Sequence, residues 1–455
     1  MNFNKAITWS GKIYKILQKL NLDGLISLDA FIDANFPEIT SRLQTYASNS
    51  KIAVCSTNGK KTTVNLLNQI LSANNQTFIT NVTENAEALP VLTSIILGLS
   101  EGGLFDENKM KDFYTMALDE YEIAGYFNSM KFDYLLLNNL FYDQKSYLNL
   151  EEKRKKIQDA IVLNSNCNLI INADEPVFHK IDDIKNDLFA GKKLSKLYFG
   201  FNNIEIADDE SLIQENDVAH CPVCGCKLDY IKRFYSHIGQ YDCECGFKRP
   251  KLDISADVKI FSNYSFLNVY FKENKYVFKL PLGGVYNAYN ALGAISLAIA
   301  LNIERKTIAN AFENYTGITA RDEIIRRRGK DIKLKSVKNP VSLSEALREL
   351  LFEKRTKVVL CLNDKPEDGI DTSWIWNSNF NSLSGFENKI YVCGTRCDDM
   401  ALRLKYAGVN PCLIIVDNSI SNSVKCCFYE LEKHENMIVF SVPSAVKEIK
   451  EILDK

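Results

Sequence analysis

The chain alternates short apolar runs with helix-like segments, and this alternation limits the folds open to it. The first unit is the apolar run 51–55, the polar turn 56–59 and a helical pattern from about residue 60 to 73. Similar runs follow at 132–137, 169–171 and 196–199, and later at 357–362, 389–393, 412–416 and 437–440. Neighbouring parallel strands need crossover helices between them, so this order is typical of parallel sheets. The sequence therefore predicts an α/β protein with doubly wound sheets.

Length and changes of pattern predict the domain organisation. At roughly 150 residues per domain, a chain of 455 residues has room for three units. We expect an N-terminal helical segment over 1–45, a central α/β domain over 46–316 and a second α/β domain over 317–455. Glycines, cysteines and aromatic residues replace the helical pattern near 221–247, so an insertion of about residues 216–250 is expected in the central domain.

Charge and hydropathy exclude several classes of protein. The net charge is −2, from 55 basic and 57 acidic residues, which argues against a broad nucleic-acid-binding surface. Nowhere does the sequence hold a continuous apolar run long enough for a bilayer-spanning helix. Residues 1–22 carry four lysines between short apolar pairs, so a secretory signal is not expected. We therefore expect the protein to be cytoplasmic.

Five of the 13 cysteines lie between 221 and 245, and their spacing predicts a metal site. A C-x-x-C pair and a C-x-C pair are separated by residues 225–242, a spacing typical of a zinc ribbon. Four thiolates fill a tetrahedral zinc site and leave no open position, so a structural role is expected. The predicted ligands are Cys221, Cys224, Cys243 and Cys245. Cys226 is a fifth thiol, and His220 or His237 remains an alternative to one of the cysteines.

Residues 56–63 read Ser-Thr-Asn-Gly-Lys-Lys-Thr-Thr and lie between a predicted strand and a predicted helix. In such a position backbone N–H groups and a lysine bind phosphates at the helix N-terminus. Two registers remain open. In the first register, Lys60 is the phosphate lysine and Lys61 takes the place of the hydroxyl that holds magnesium. In the second, one residue is inserted after Gly59, and Lys61 and Thr62 form the functional pair.

Further motifs occur in a fixed order along the chain. They are Thr57-Asn-Gly-Lys60, Asn172-Ala-Asp-Glu-Pro176, the cysteine ribbon, Tyr286-Asn-Ala-Tyr-Asn-Ala291, Asn363-Asp364 followed by Asp368-Gly-Ile-Asp371-Thr-Ser-Trp374, and Gly394-Thr-Arg396. Together they resemble the MurT-type Mur ligases, the ligase subunits of lipid II isoglutaminyl synthase. The resemblance implies a central P-loop domain with an inserted four-cysteine zinc ribbon, followed by a Rossmann-like C-terminal α/β domain.

The resemblance also implies a reaction. Such a subunit uses ATP and Mg²⁺ to activate the α-carboxyl of D-glutamate in the lipid II stem peptide as an acyl phosphate, and ammonia converts it to D-isoglutamine. A GatD-type glutamine amidotransferase partner supplies the ammonia. The expected Zn²⁺ is structural, and no nucleic-acid partner is expected. Because the substrate is lipid-linked, the reaction is expected at the inner face of the membrane.

The resemblance implies site residues as well. Nucleotide contacts are expected from Thr57, Asn58, Gly59, Lys60, Lys61, Thr62, Asn287, Asn290 and Arg321. Asp371 is expected to orient the partner's catalytic histidine, although it also suits the cap of a helix starting near residue 373. Asp364 and Asp368 are rivals for that role. Trp374 and Trp376 are expected in the core or at an interface, and the core is favoured.

Several positions depart from the family pattern on the ATP and magnesium side. Ser56 replaces a glycine, Lys61 a threonine and Ala117 a glutamate, and the stretch 141–144 lacks the family's arginine. These losses support an alternative function: a non-catalytic subunit that binds a glutamine amidotransferase and completes its active site. A Mur-type ligase with another acceptor is a third hypothesis, which Asp371 and the ribbon argue against.

Overall fold

The structure is a computed structural model. It describes residues 8, 12, 29, 32, 37–83, 88–100, 110–143, 148–164, 166–178, 181, 195–206, 218–261, 263–315, 322–348, 350, 355–366, 368–433 and 435–454. Most of the expected N-terminal segment 1–45 therefore lies outside the described residues, and helix α1 (Pro37–Leu43) is its longest described part.

A nine-stranded sheet organises the central part of the chain. Its strands are β1 (Ala47–Cys55), β2 (Phe78–Thr80), β3 (Lys111–Leu118), β4 (Tyr134–Leu137), β5 (Asn168–Asn172), β6 (Lys196–Ile206), β9 (Ile254–Ile260), β10 (Ser265–Phe271) and β11 (Asn274–Leu280). The order is β11-β10-β9-β6-β5-β4-β1-β3-β2. Pairing is parallel from β2 to β9, and β9, β10 and β11 are antiparallel. The predicted parallel α/β architecture is confirmed.

Helices cover both faces of this sheet. They are α2 (Lys60–Ala73), α3 (Val91–Leu99), α4 (Ile123–Ser129), α5 (Leu150–Leu163), α6 (Val285–Ala300) and α7 (Arg305–Glu313). Successive residues of β1 point to opposite faces. Ile52 and Val54 therefore join the core beneath α2 and α6, whereas Ala53 joins the core beneath α3 and α5. Burial on both faces explains why β1 ends in a continuous apolar run.

A small hairpin is inserted in the chain between two strands that are neighbours in the large sheet. Strands β7 (Asp229–Tyr235) and β8 (Ile238–Asp242) pair with each other as a separate two-stranded sheet. They lie between β6 and β9 along the chain, although β6 and β9 are neighbours in the large sheet. The cysteine-rich segment is thus placed within one crossover of the central sheet.

A second sheet begins at residue 322. Its strands are β12 (Asp322–Arg327), β13 (Lys330–Ser336), β14 (Thr356–Cys361), β15 (Ile390–Cys393), β16 (Ile414–Val416) and β17 (Asn436–Ser441), in the order β12-β13-β17-β14-β15-β16. Strands β12 and β13 pair antiparallel, and the remaining pairs are parallel. The accompanying helices are α8 (Pro340–Arg348), α9 (Cys397–Tyr406), α10 (Ile420–Tyr429) and α11 (Pro443–Asp454).

Several element starts differ from the sequence prediction: β1 begins at Ala47 rather than residue 51, and β4 begins at Tyr134 rather than residue 132. The strand expected at 412–416 begins at Ile414, because Pro411–Leu413 form a 3-10 turn. Among the described residues, no helix is both long and apolar enough to cross a bilayer.

Candidate functional site

The carboxyl ends of three adjacent parallel strands meet at one edge of the central sheet. In the register, Cys55 at the end of β1 is paired with Leu118 of β3 and with Leu137 of β4. The loops 56–59, 119–122 and 138–143 therefore start side by side. Open α/β sheets place their ligand sites at this edge.

The phosphate loop is shaped by Gly59. Its φ is +86°, a left-handed conformation that favours glycine, and α2 begins at the next residue. A Cβ at this position would lie 2.7 Å from Cγ and from Nδ2 of Asn290, with Oδ1 nearer still. The predicted loop residue Gly59 and the predicted α6 residue Asn290 are thus in direct contact.

Lys60 is the lysine that this loop directs into the site. Its Nζ lies 2.5 Å from Asp119 Oδ1 and donates to the carbonyl oxygen of Ser56 at 3.2 Å. Burial by itself lowers the pKa of Lys60, but the carboxylates of Asp119 and Glu120 outweigh it and the pKa is raised. Lys60 therefore stays protonated at neutral pH, as a phosphate-binding lysine must.

Lys61 and Thr62 follow in the first turn of α2. Lys61 is half-buried, whereas Thr62 is buried. Neighbouring helix residues point about 100° apart, so Lys60 and Lys61 cannot both take the position beside Asp119. This geometry favours the register in which Lys60 is the phosphate lysine.

Glu120 and Lys153 form a buried ion pair that the sequence did not indicate. Glu120 Oε1 accepts from Thr57 Oγ1 and from Lys153 Nζ, each at 2.7 Å, and Lys153 also donates to the carbonyl oxygen of Phe141 at 2.9 Å. Burial by itself raises the pKa of Glu120, but Lys153 and Lys60 outweigh it and the pKa is lowered. Lys153 belongs to the charged stretch 151–156, which is typical of a solvated helix face, so no sequence signal pointed to it.

Asparagines connect the loop to the strands and to α6. Asn58 and Asn139 exchange two hydrogen bonds of 2.9 Å each, and Asn138 Nδ2 donates to Asn290 Oδ1 at 3.0 Å. Asn287 and Asn290 are buried about one turn apart on α6. Asn287 Oδ1 and Asn290 Nδ2 have no hydrogen-bond partner among the described residues.

The C-terminal part of the chain also reaches the loop. Asn339 Nδ2 donates to Asn58 Oδ1 at 3.2 Å, and Lys338 forms an ion pair with Asp143. Asn339 is held in place because its Oδ1 accepts from the Ser342 N–H at 2.8 Å. Neither Lys338 nor Asn339 was predicted, because nothing local to them indicates contacts 195 and 281 residues away.

Arg321, the remaining predicted nucleotide contact, lies outside the described residues.

The four predicted cysteine ligands converge. Their Sγ atoms all lie within 4.8 Å of one another, with 3.7 Å between Cys221 and Cys245 and 3.5 Å between Cys224 and Cys243. Sulfurs at a Zn–S distance of about 2.3 Å in a tetrahedron are about 3.8 Å apart. The N–H of Cys226, together with the neighbouring thiol of Cys243, lowers the pKa of Cys224 to about 6, which favours a metal-binding thiolate.

Neither histidine alternative is supported, and Cys226 lies outside the cluster. His237 is fully buried and its Nε2 contacts both carboxylate oxygens of Glu175, at 3.0 and 2.9 Å. His220 is exposed and is also outside the cluster. The donor set of four thiols suits a structural zinc ion.

Asp371 lies on the second sheet's carboxyl side, at the start of a 3-10 helix (Ser373–Asn377). It accepts from the Ser373 N–H at 2.8 Å and from Ser373 Oγ at 2.9 Å, and the hydroxyl and then the N–H lower its pKa. The N-cap residue of this helix is Thr372, which makes no side-chain capping bond, and Asp371 bonds the first turn from one position earlier. The carboxylate is nevertheless exposed, and its two oxygens can accept further hydrogen bonds.

The two rival aspartates are occupied by other contacts. Asp364 accepts from Thr395 Oγ1 at 2.8 Å and pairs with Arg396, and Asp368 accepts from the Ser444 N–H at 2.8 Å. Trp374 is buried as expected. The core prediction is wrong for Trp376, whose exposed fraction is 45% and whose ring lies against Tyr406 at the surface.

Comparison with known proteins shows similarity to MurT subunits. Residues 336–445 match the model of the MurT ligase C-terminal domain. The chain is 29% identical over 384 residues to the MurT subunit of lipid II isoglutaminyl synthase (glutamine-hydrolyzing) from Staphylococcus aureus (strain COL), covering 83% of this chain and 82% of that one. It is 27% identical over 420 residues to the MurT subunit from Streptococcus pneumoniae R6, covering 90% and 89%.

Solved structures share the fold. A pseudomurein peptide ligase type C from Methanothermus fervidus superposes with a TM-score of 0.67 at 18% identity, covering 91% of this chain and 80% of that one. The MurF ligase from Thermotoga maritima, solved in complex with ADP, gives 0.55 at 13% identity, covering 92% and 82%. The chain is therefore a homologue of the MurT subunits of lipid II isoglutaminyl synthase, and it has the fold of the Mur ligases.

Proposed function

We propose that this chain is the ATP-dependent ligase subunit of a lipid II isoglutaminyl synthase. Its substrate is the α-carboxyl of D-glutamate in the lipid II stem peptide, and its product is D-isoglutamine. The observation that carries the proposal is Lys60, which is buried beside Asp119 and Glu120 at the start of α2 and has a raised pKa. A cation fixed at a helix N-terminus offsets the charge of a transferring phosphoryl group.

The reaction has two steps. A carboxylate oxygen of the substrate attacks the γ-phosphorus of ATP, the bond to the bridging oxygen breaks, and ADP leaves with that electron pair. The nitrogen of ammonia then attacks the acyl carbon, and phosphate leaves with the electron pair of the C–O bond. One proton is lost from nitrogen, which gives the amide. The first step is needed because a carboxylate alone has no adequate leaving group.

The buried asparagines support nucleotide binding at this loop. Asn287 Oδ1 and Asn290 Nδ2 lack partners among the described residues, and burying an amide group unpaired costs about 1–3 kcal/mol. A nucleotide that bonds to either atom relieves that cost. Asn290 also contacts Gly59, so such a ligand would lie against the phosphate loop.

Magnesium has a narrower set of candidate ligands here than in a full P-loop. Lys61 and Ala117 offer no oxygen from their side chains, and Glu120 is already bonded to Thr57 and Lys153. Asp119, whose side chain is 31% exposed, is the carboxylate able to hold the ion together with the nucleotide phosphates. Mg²⁺ would there neutralise charge on the phosphates, and Lys60 would exchange its bond to Asp119 for one to phosphate.

Ammonia is proposed to come from a GatD-type glutamine amidotransferase bound at the C-terminal part of the chain. Asp371 is exposed there, beside Ile370 with an exposed fraction of 64%. Both side chains are therefore accessible to a protein partner. Asp371 would accept from the partner's catalytic histidine and orient it. Catalysis would take place at the cytoplasmic face of the membrane, where lipid II is presented.

A second candidate function is a non-catalytic subunit that only completes the amidotransferase. The altered positions 61 and 117 favour it, because both fall on the magnesium side of the site. In that case the chain binds the partner and supplies Asp371 but does not turn over ATP.

An amidation assay on lipid II with ammonium chloride, MgATP and the purified chain tests the proposal without the partner. We expect D-isoglutamine formation, loss of activity in Lys60→Met and substantial activity in Lys61→Met, the matched control. Three results together would establish the second candidate instead. The natural chain would give no amidation with or without the partner, MgATP would not stabilise it, and it would still bind a glutaminase.

A further inference from the structure

The tip of the β7–β8 hairpin is buried against the loop that follows β4. The turn between the strands contains Ser236, with a φ of +51°, and His237, which has no exposed surface. The rings of His237 and Tyr235 lie 5.0 and 5.2 Å from the ring of Phe141. The hairpin that carries the cysteine pairs at its base thus ends inside the central domain.

His237 is joined to the phosphate loop by consecutive hydrogen bonds. Its Nε2 contacts Glu175, and Glu175 Oε2 accepts from the Leu140 N–H at 3.1 Å. The next residue, Phe141, donates its N–H to Thr57 Oγ1 at 3.0 Å, and Thr57 donates to Glu120. All of these groups are buried, so each bond is shielded from competition by water.

A parallel connection leads from the same hairpin to α6. The Gly239 N–H donates to the carbonyl oxygen of Asp174 at 2.9 Å, and Arg249 donates to Asp174 Oδ1 at 2.8 Å. Asp174 Oδ2 accepts from the Tyr289 hydroxyl at 2.9 Å. Tyr289 precedes Asn290, the residue that contacts Gly59. The segment 172–175 therefore connects the hairpin to both sides of the phosphate loop.

We propose that the cysteine ribbon positions the nucleotide site, and that His237 is the positioning residue through which it acts. A metal ion bound by the four cysteines holds the base of the hairpin, the hairpin holds His237 against Glu175, and Glu175 fixes loop 138–141 beneath the phosphate loop. The expected effect on nucleotide affinity rests on the proposed function. The structural coupling between the ribbon and the phosphate loop is independent of the proposed function.

The variants separate positioning from metal binding. His237→Ala removes the bond to Glu175 and leaves all four cysteines in place. His220→Ala is the matched control, because His220 is exposed on the same ribbon and lies outside the cysteine cluster. His237→Gln restores a donor toward Glu175 and should rescue the effect.

Three measurements are made on the full chain loaded with Zn²⁺: zinc content, hydrogen exchange of the Thr57 and Asn58 amides, and ADP affinity by calorimetry. Both amides are bonded to Asn139 and should be protected in the natural chain. In His237→Ala we expect full zinc content, about tenfold faster exchange of these amides and about tenfold weaker ADP binding. His220→Ala should behave as the natural chain, and His237→Gln should recover most of the protection.

Unchanged exchange at Thr57 and Asn58 in His237→Ala, at full zinc content, would overturn the inference. If His237→Ala does not fold, the natural chain stripped of zinc by a chelator replaces it, and retained protection of the two amides again overturns the inference. Failure of the natural chain to bind ADP counts against the proposed function alone, because the exchange comparison needs no nucleotide.

Discussion

Replacing Gly59 by alanine tests the geometry on which the phosphate loop depends. The added Cβ must tolerate a φ of +86° and must also occupy space taken by the amide of Asn290. Asn290 cannot simply turn away, because it is buried and its Oδ1 accepts from Asn138 at 3.0 Å. The two costs are physically separate and can be measured separately.

The left-handed conformation costs an alanine about 1–2 kcal/mol. Forcing extra volume into a packed site costs about 1–3 kcal/mol. Gly59→Ala should therefore destabilise the loop and the start of α2 by about 2–5 kcal/mol in total. Gly329→Ala is a control for the first cost alone, since Gly329 has a φ of +73° and a Cβ added there would meet no heavy atom of the described residues within 4 Å.

A double-mutant cycle isolates the second cost. In an Asn290→Ala background the amide is gone, so Gly59→Ala should cost only about 1–2 kcal/mol there. Hydrogen exchange of the α2 amides measures the local unfolding free energy, which avoids the ambiguity of a global transition in a chain with two large sheets. Equal effects of Gly59→Ala in the two backgrounds would refute the contact with Asn290 as the reason for glycine.

Three further predictions concern other parts of the chain. Cys221→Ser should abolish binding of about one zinc ion per chain, whereas Cys226→Ser should retain it in metal analysis. In a complex with a glutaminase, Asp371→Asn should keep the complex intact but lower glutamine hydrolysis sharply, while Asp364→Asn should not, as a coupled glutamate assay would show. The folded-state pKa of Glu120 is lowered, so its stabilising contribution is present above the unfolded pKa of 4.5 and is lost as the pH falls through the folded-state pKa. The free energy of unfolding, measured with urea between pH 3 and 7, should therefore depend less on pH in Glu120→Gln.

The sequence predicted the features that depend on local pattern. The run 51–55 reads as apolar because both faces of β1 are buried there, and the turn with Gly59 needs a residue that accepts a positive φ. The cysteine pairs were predictable because ribbon spacing is short-range, and their sulfurs do converge. Each of these signals is contained in a short stretch of the chain.

Features that depend on distant partners were not predictable in this way. His237 was considered only as a metal ligand, because histidine near cysteines suggests coordination, whereas its partner Glu175 is 62 residues away. Lys153 lies in a charged run of α5 and is nevertheless buried, since Glu120 faces it from the loop after β3. For Trp376 the core was favoured over an interface, but its side chain is 45% exposed and packs against Tyr406 of α9 at the surface.

The altered positions around the phosphate loop change the balance of charge in one direction. Replacement of a threonine by Lys61 adds a cation, and Ala117 in place of a glutamate removes an anion. Lys60 and Lys153 already neutralise Asp119 and Glu120 pairwise, so both substitutions make this part of the site more positive than the family pattern would. Such a site attracts a polyphosphate directly and attracts a divalent cation less strongly than a site with more carboxylates. Under the proposed function, the substitutions that weaken magnesium binding are therefore the same ones that preserve the attraction for the nucleotide, and their joint presence is compatible with an active site.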